Sequence, residues 1–258
     1  MSVRIISLNI WGGRRRTDLL NFIERKSEDI DIFCFQEVLN KKVSKAIEGE
    51  KLKYSGGKYH ETPYIYKDLC RVLKGFDNRT SKSTNTGGEK LGIFVREGIV
   101  IKRLLEVATD PFKVKVYDRT FVVRSMIQVA TMEKDGKEFN VINIHGLWQG
   151  GGKKDTPERI KQSALLIKLI NKVDRKKLVI CGDFNLEPTT KSIGMLDGIL
   201  RDLIKENNIK TTRSKLYSHI SKGKFADYTF VSKDIRVKKF KVLKDAVSDH
   251  LPMYIEFE

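Results

Sequence analysis

The chain has 258 residues, with 50 lysines and arginines against 33 aspartates and glutamates, and a formal net charge of +17. Hydrophobic residues make up 40% of it, yet no apolar run approaches the length of a membrane-spanning helix, which argues for a soluble globular protein. The basic excess favours a polyanionic partner: nucleic acid, an anionic membrane surface or a phosphorylated small molecule.

The start of the sequence and the cysteines both indicate a cytoplasmic protein. Residues 1–4 enter a strand pattern directly, without the charged and then apolar leader of a secreted protein. Cys34 and Cys181 lie inside apolar runs, where cysteine packs as a small hydrophobe, and with Cys70 they form no Cys-x-x-Cys pair. We therefore expect reduced thiols. Because no linker or change of composition divides the sequence, we also expect residues 1–258 to form a single domain, and the protein to be a monomer.

Runs of apolar or alternating residues predict a series of strands along the chain. The run at 178–181 is short and wholly apolar, which is typical of a strand buried on both faces. A hairpin turn is predicted at 134–137, where Asp135-Gly136 joins two of the strands. The predicted strands cover residues 3–10, 30–35, 91–96, 99–107, 120–132, 138–144, 178–181, 224–231, 237–242 and 253–257.

Two helices have clear start signals. Thr17 is predicted to cap the first, whose apolar residues repeat at helical spacing. Thr156 caps the second, with Pro157 at its first position, and the pattern continues to Val173. The predicted apolar face of this helix comprises Ile160, Ala164, Ile167 and Ile170. Weaker patterns predict short helices at 43–47 and 192–200, a helix or irregular cover at 64–76, and a mobile surface loop at 78–88.

Polar side chains capable of chemistry lie at the ends of several predicted strands. Each has a plain structural explanation when taken alone. Asp183 could cap the turn after its strand, Glu37 could face the dipole of a helix start, and a single histidine is more often structural than catalytic. Two of the four histidines of the chain nevertheless belong to this set. We refer to the set as the strand-end cluster: Asn9, Glu37, His145, Asp183, Asn185, Asp227, Asp249 and His250.

Carboxylates, amides and imidazoles in one place are the groups that hydrolysis of a phosphoester requires. Oxygen ligands hold a hard divalent cation, and a general base prepares a water molecule. Hydrogen-bond donors neutralise the charge that develops on the phosphoryl group. Mixed strands with a few long helices predict an α/β protein in which two sheets pack face to face with helices outside.

Six short motifs contain the strand-end cluster. They are SLNIW at 7–11, FQEV at 35–38, NIHG at 143–146, GDFN at 182–185, FADY at 225–228 and SDHLP at 248–252. Each motif is weak alone, but the ordered set, which covers residues 8–252, resembles the endonuclease/exonuclease/phosphatase superfamily, of the exonuclease III and DNase I-like kind. The resemblance implies a four-layered α/β sandwich in which two packed mixed β-sheets are flanked by helices.

The resemblance implies a divalent metal and its ligands. Glu37 resembles the main metal ligand of the superfamily, with Asn9 and Asp249 as further ligands. No thiolate or histidine cluster with zinc spacing accompanies these residues, so the expected cofactor is Mg²⁺ or Mn²⁺.

The other members of the cluster resemble residues that act on water and phosphate. Asp183 resembles the residue that orients or deprotonates the attacking water, and Asn185 resembles one that holds a phosphate oxygen. His250 resembles the histidine that contacts the scissile phosphate, and Asp227 would fix its tautomer by accepting its other N–H. His145 would donate to a non-bridging oxygen or assist the leaving group.

His145 also discriminates among branches of the superfamily. Abasic-site endonucleases have a tyrosine at this position, which argues against an abasic enzyme like exonuclease III. A histidine is shared by pancreatic-type deoxyribonucleases, tyrosyl-DNA phosphodiesterases of the second type, sphingomyelinases and inositol polyphosphate 5-phosphatases. The helix that begins near Glu158-Arg159 resembles the same wider group, whose secreted members usually carry a leader.

Basic residues beside the cluster make nucleic acid the expected substrate, DNA rather than RNA. They follow the strands that end in Asn9 and His145, and loops that leave neighbouring strand ends should share one rim. We refer to these five residues as the basic rim: Arg14, Arg15, Arg16, Lys153 and Lys154. Trp148, on one of these loops, is expected to stack on bases or to wall the site. Trp11, on the other, is explained equally well by packing beneath its loop.

Two other functions fit the same residues. The protein could perform the same chemistry on a small phosphorylated molecule or a lipid headgroup, or it could be a relative that binds nucleic acid without catalysis. The complete cluster argues against the second alternative, because a binding module has no need of both Asp183 and His250. We therefore expect a metal-dependent phosphodiester hydrolase, such as a nuclease or a DNA-repair phosphodiesterase, that binds no membrane.

Overall fold

Most strands belong to two six-stranded sheets in the computed structural model, which describes residues 2–42, 60–82, 88–116, 119–150, 152–173, 176–219 and 223–258. The strands are β1 (Val3–Asn9), β2 (Ile32–Leu39), β3 (Phe76–Thr80), β4 (Glu89–Arg96), β5 (Val100–Ala108), β6 (Phe112–Val116), β7 (Arg119–Val123), β8 (Met126–Lys134), β9 (Lys137–His145), β10 (Leu178–Asp183), β11 (Arg201–Asp202), β12 (Asp227–Val231), β13 (Val237–Val242) and β14 (Met253–Phe257). The helices are α1 (Arg16–Lys26), α2 (Ile65–Val72), α3 (Pro157–Ile170), α4 (Lys191–Asp197) and α5 (Leu203–Glu206).

Each sheet has one parallel pair of strands at its centre. The strand order is β13-β14-β1-β2-β4-β3 in the first sheet and β11-β12-β10-β9-β8-β5 in the second. β1 runs parallel to β2, and β9 runs parallel to β10, whereas the neighbouring strands pair antiparallel. β6 and β7 form a separate two-stranded hairpin. The two parallel pairs therefore present their carboxyl ends in the middle of a sheet edge, where α/β proteins place their ligands.

Three clusters of buried apolar side chains separate the layers. One lies between the two sheets and includes Ile32 of β2 and Val141 of β9. A second joins the first sheet to α1 and α2, and a third joins the second sheet to α3 and α4. The resulting order of helices, sheet, sheet and helices confirms the predicted four-layered α/β sandwich.

Strand β2 is longer than the apolar run that predicted it. It continues past Phe35 through Gln36 and Glu37 to Leu39, so Glu37 lies within a strand and the interpretation of this acid as a helix-start residue is wrong. The pairing with β4 shifts between Phe35 and Val38, and Glu37 has a φ of 60°, as expected at a β-bulge. The bulge directs the Glu37 side chain to the sheet edge.

The helix starts were predicted with mixed success. Thr156 caps α3 as expected, and its hydroxyl accepts a hydrogen bond from the backbone N–H of Arg159. Thr17, in contrast, lies inside α1, whose N-cap position is Arg15 without a side-chain cap. A 3₁₀ turn over Trp11–Gly13 leads almost directly into α1, so the chain is already helical before it reaches Thr17.

The buried face of α3 is also rotated from the predicted one. The helix ends at Ile170, and its buried residues are Arg159, Gln162, Ser163, Leu166, Leu169 and Ile170. Polar residues enter this face because Arg159 and Gln162 bind backbone atoms of the loop that follows β9. Ile160, Ala164 and Ile167 are half-buried instead.

Other boundaries differ because tertiary pairing overrides local pattern. The predicted strand at 120–132 is two strands, β7 and β8, and β3 occupies residues 78–80, which were predicted as loop. The helix predicted at 43–47 lies outside the described residues.

Within the described residues, none of the helices has the length and hydrophobicity needed to cross a membrane.

Candidate active site

The carboxyl ends of the two central strand pairs meet across the gap between the sheets. Asn9 links them, because its Nδ2 donates hydrogen bonds to Glu37 Oε1 at 2.9 Å and to Asp183 Oδ2 at 3.0 Å. His145 Nε2 lies 3.8 Å from each of the same two carboxylate oxygens. One residue from each of β1, β2, β9 and β10 therefore contributes to a single polar centre.

Asp183 has both a structural and a site-facing oxygen. Its Oδ1 accepts a hydrogen bond from the backbone N–H of Asn185 at 2.8 Å, which is the turn-capping role expected of an aspartate here. Its Oδ2 faces Asn9 and the two histidines of the cluster. Asn185 adopts a φ of 55°, and its Nδ2 donates to the carbonyl of Gly146 at 3.2 Å. The turn thus holds an amide beside the carboxylate.

His250 and Asp227 form a buried hydrogen-bonded pair. His250 Nδ1 lies 2.8 and 2.9 Å from the two carboxylate oxygens of Asp227, so the imidazole carries a proton on Nδ1 and donates it to Asp227. Asp227 begins β12 directly opposite Asp183 in the β10–β12 register. His250 Nε2 consequently points at Asp183 Oδ2, 3.6 Å away.

Arg213 is a site residue that sequence reasoning missed. Its Nη1 donates to Asp249 Oδ2 at 3.0 Å and lies 2.5 Å from His250 Nε2, and its guanidinium covers the ring of Tyr217 at 4.2 Å from the centroid. The segment around it is polar and lacks apolar periodicity, so no local pattern marks it. A backbone bridge between Arg213 and His250 brings it into the site.

Arg159 is a second buried arginine, for which the sequence indicated a place at the helix start but no contacts. It donates to the carbonyls of Leu147, Gly152 and Lys154 and so fixes the loop between β9 and α3. In this loop Lys153 is buried, and its Nζ donates to the carbonyl of Phe225 at 2.9 Å.

The ionisable groups of the site alter one another's pKa. Burial raises the pKa of Asp183, but the neighbouring His250, His145, Arg213 and Lys153 outweigh burial and lower it to about 2. Asp183 is therefore a carboxylate at neutral pH.

Lys153 loses its proton more easily in the same surroundings. Burial lowers its pKa to about 8, an effect that Arg213 increases and that Asp183, Asp227 and Asp249 oppose. A fraction of Lys153 is consequently neutral at slightly alkaline pH.

His250 shows the balance between burial and charge. Burial and the charge of Arg213 lower the pKa of His250. The carboxylates of Asp227, Asp249 and Asp183 together raise it by more, so the pKa lies above its usual value. While Nε2 accepts a hydrogen bond from Arg213 the imidazole is neutral. Because its pKa is raised, the His250 imidazole takes up a second proton more readily than an ordinary histidine does.

The basic rim is less open than its sequence indicated. Arg14 is buried against Glu61 at 3.4 Å and lies over the ring of Trp11. Arg15 pairs with Asp18, and Arg16 makes a bidentate pair with Asp68, with both contacts at 2.8 Å. The side chains of Arg15 and Arg16 remain 33% and 46% exposed, so they are accessible despite their partners. Trp148 is half-buried and Lys154 is exposed.

The oxygen donors of the site fit a hard divalent cation. Two carboxylates, Glu37 and Asp183, converge on the Asn9 amide and offer the oxygen ligands that such a cation prefers. Among the described residues, Asp183, Asp227 and His250 form a buried group whose potential ligand atoms lie within 4.8 Å of one another, which is close enough to bind a cation. Both ring nitrogens of His250 are engaged by hydrogen bonds in this arrangement, however, so the carboxylate of Glu37 fits a metal better.

The solved structures that this chain resembles share its fold at low sequence identity. An endonuclease/exonuclease/phosphatase from Bacteroides vulgatus has 18% identity and a TM-score of 0.71, over 100% of this chain and 99% of that chain. A mannosyl-6-phosphatase from Bacteroides thetaiotaomicron has 19% identity and a TM-score of 0.69, over 99% of each chain. TDP2 from D. rerio, complexed with a single strand DNA product, has 15% identity and a TM-score of 0.66, over 100% of this chain and 99% of that chain.

The sequence itself gives the family. No curated protein matches the chain. The model of the Endonuclease/Exonuclease/phosphatase family, in contrast, matches residues 6–250, a range that includes every member of the strand-end cluster. As its six motifs predicted, the chain belongs to the Endonuclease/Exonuclease/phosphatase family.

Proposed function

We propose that this protein is a Mg²⁺- or Mn²⁺-dependent phosphodiester hydrolase that acts on nucleic acid, DNA rather than RNA. The observation that carries the chemistry is the Asn9 amide, which holds Glu37 and Asp183 on either side of it while two histidines face Asp183. A site that serves binding alone has no use for a buried acid between two imidazoles, so this arrangement supports catalysis over the non-catalytic alternative.

The metal is assigned to the first sheet. Glu37 would hold it, assisted by Asn9, whose present partners are the two carboxylates and the backbone N–H of Trp11. A cation held there would supply positive charge that polarises the phosphoryl oxygens. The half-buried Glu37 side chain lies at the sheet edge, where a substrate can approach it.

The second sheet supplies the groups that handle water and phosphate. Asp183 orients the attacking water, because a carboxylate with a pKa of about 2 accepts a hydrogen bond at neutral pH without carrying a proton. His250, oriented by Asp227, contacts the scissile phosphate through Nε2. Asn185 and His145 donate to phosphate oxygens, and His145 is also placed to assist the leaving group.

The net charge of +17 supports a nucleic-acid substrate. TDP2 from D. rerio, which has a similar fold, was solved with a single strand DNA product, and this is consistent with a DNA substrate. We also propose that the protein is a monomer, forms a single domain and acts in the cytoplasm.

A small phosphorylated molecule is the second candidate substrate. It is favoured by the pairing of Arg14, Arg15 and Arg16 with carboxylates, which reduces the positive charge that the basic rim offers to a backbone. The similar fold of a mannosyl-6-phosphatase is consistent with this alternative.

A substrate screen tests both candidates. We would assay the protein with and without Mg²⁺ on labelled single-stranded DNA, duplex DNA, RNA, 5′-tyrosyl DNA, phosphoinositides and sugar phosphates. We expect Mg²⁺-dependent cleavage of DNA that is lost in Asp183→Asn. Activity confined to a headgroup or sugar phosphate would establish the second candidate, and no metal-dependent activity on any of these substrates would contradict both.

A further inference from the structure

Arg213 is a buried cation with incomplete hydrogen bonding. Its side chain is 5% exposed, and its Nε has no hydrogen-bond partner among the described residues. Burying a guanidinium is unfavourable unless its donors are paired, so the unsatisfied Nε leaves Arg213 incompletely paired at this depth, and a bound anion would stabilise its charge. The Nη1 atom of the same group lies at the centre of the site.

The position of Arg213 relates it to the reacting group. Nη1 lies 2.5 Å from His250 Nε2, and that nitrogen is 3.6 Å from Asp183 Oδ2. An anion that contacts His250 Nε2 would therefore also lie within reach of the guanidinium. Lys153 Nζ approaches the same Tyr217 ring, at 5.7 Å from the centroid, so a second cation faces this part of the site.

Asp249 is hydrogen-bonded to Arg213. Its Oδ2 accepts from Arg213 at 3.0 Å, and its Oδ1 lies 3.4 Å from Ser248 Oγ and 3.8 Å from His250 Nε2. Both carboxylate oxygens thus have partners within the second half of the chain. Asp249 contacts the cationic side of the site, whereas Glu37 and Asn9 form the other side.

We propose that Arg213 binds the phosphate group that reacts, and that Asp249 positions Arg213 instead of binding the metal. This inference rests on the proposed phosphoester chemistry and assigns it one further substrate-contacting residue. A guanidinium suits this role because its planar donors match two phosphate oxygens at once. On binding, the phosphate replaces His250 as the acceptor for Nη1.

Phosphate binding tests the first half of the proposal without requiring turnover. We would titrate inorganic phosphate into the protein by calorimetry, with and without Mg²⁺. A charge-assisted hydrogen bond predicts that Arg213→Gln weakens phosphate binding by about 10- to 100-fold. Arg213→Lys keeps the positive charge but loses the planar pair of donors, and we expect its phosphate affinity to be intermediate.

Arg96→Gln is the matched control. Arg96 donates to the carbonyls of Ile30 and Ser27 at the opposite end of the first sheet, so its loss should leave phosphate affinity unchanged. Wild-type affinity in Arg213→Gln, or absence of phosphate binding by the wild type in both buffers, would overturn the proposal. If Arg213→Gln does not fold, unchanged affinity in Arg213→Lys would overturn it equally.

Magnesium binding tests the second half. We expect Asp249→Asn to bind Mg²⁺ as the wild type does and to lose phosphate affinity, and the double variant with Arg213→Gln to lose no more phosphate affinity than Arg213→Gln alone. Weakened Mg²⁺ binding in Asp249→Asn would return Asp249 to the metal ligands. Because none of these titrations measures hydrolysis, failure to find a substrate would contradict the proposed function while leaving this inference to be decided by the titrations.

Discussion

Individual side-chain atoms of the site have distinct hydrogen-bond partners. The Asn9 amide faces a carboxylate from each sheet, and its own Oδ1 is fixed by the backbone N–H of Trp11. Asp183 uses one oxygen to hold its turn and the other to face the histidines. Changes at single atoms should therefore separate metal binding, water orientation and phosphate contact.

Asp183→Asn tests the water-orienting role. The amide keeps the volume and an oxygen that can still cap the turn, so we expect the fold to be retained. Loss of the acceptor for water should lower kcat by ~10²–10⁴ while substrate affinity changes little. Steady-state kinetics together with binding of uncleaved substrate would show this, and a variant that keeps more than a tenth of the wild-type rate would remove Asp183 from the role.

Glu37→Gln tests metal binding on the first sheet. A neutral amide is a poorer ligand for Mg²⁺ than a carboxylate, so we expect the Mg²⁺ concentration for half-maximal activity to rise. Saturating Mg²⁺ should restore a large part of the rate. A lower rate with an unchanged Mg²⁺ titration would show that Glu37 is not the ligand.

Asp227 should act through His250. Its carboxylate oxygens lie 2.8 and 2.9 Å from Nδ1, so Asp227→Asn disturbs the tautomer but leaves the ring in place. We expect a smaller loss of kcat than in His250→Ala, and a double variant that is little worse than His250→Ala alone. Losses that multiply in the double variant would give the two residues independent roles.

At the scale of strands, close approach and polar links between the sheets fix the site. Gln36 of β2 donates from Nε2 to Asn143 Oδ1 of β9 at 2.7 Å, which joins the sheets directly behind the strand-end cluster. Gly182 brings β10 against β9, since a Cβ built there would lie 2.1 Å from the carbonyl oxygen of Ile144. The absence of a side chain at Gly182 allows this close approach, which in turn places Asp183 in the site.

Gly182→Ala should consequently damage both stability and activity. The added methyl group meets backbone, and the φ of +143° is one that side chains rarely adopt. We expect a loss of about 2–4 kcal/mol in the free energy of unfolding, measured with urea. Gly194→Ala is the control, because a Cβ there meets nothing within 4 Å inside α4 and should stabilise the protein by up to ~1 kcal/mol. Equal stability of the two variants would contradict the close-approach account.

For the molecule as a whole, local pattern predicted the strands that carry the site but not the residues that complete it. β10 is buried along its length, as its continuous apolar run predicted, and Thr156 caps α3. Glu37 was placed beyond its strand because a bulge depends on pairing with β4, which a single-strand pattern does not record. Arg213 was missed because it reaches the site through a backbone bridge to His250, a residue distant in sequence.

The distribution of positive charge decides between the two substrate classes. Binding of a phosphate backbone releases counterions, so oligonucleotide affinity should fall with salt, with a log–log slope of about −0.7 to −0.9 per phosphate contacted. A headgroup or sugar phosphate has too few charges to give a steep dependence. Asp183→Asn provides a background in which the affinity can be measured without cleavage.

Exposure sharpens this prediction within the basic rim. Lys154 is exposed and has no ion-pair partner among the described residues, and Arg15 and Arg16 keep part of their side chains in solvent. Replacing each of the three by Ala should flatten the slope, Lys154 most, because an arginine must first exchange its carboxylate for a phosphate. The buried Arg14 should contribute nothing to the slope, and neither should Lys74, an exposed lysine before β3. A slope near zero in the wild type, or one that Lys74→Ala changes as much as Lys154→Ala, would leave the phosphoester chemistry standing and assign it to a small substrate.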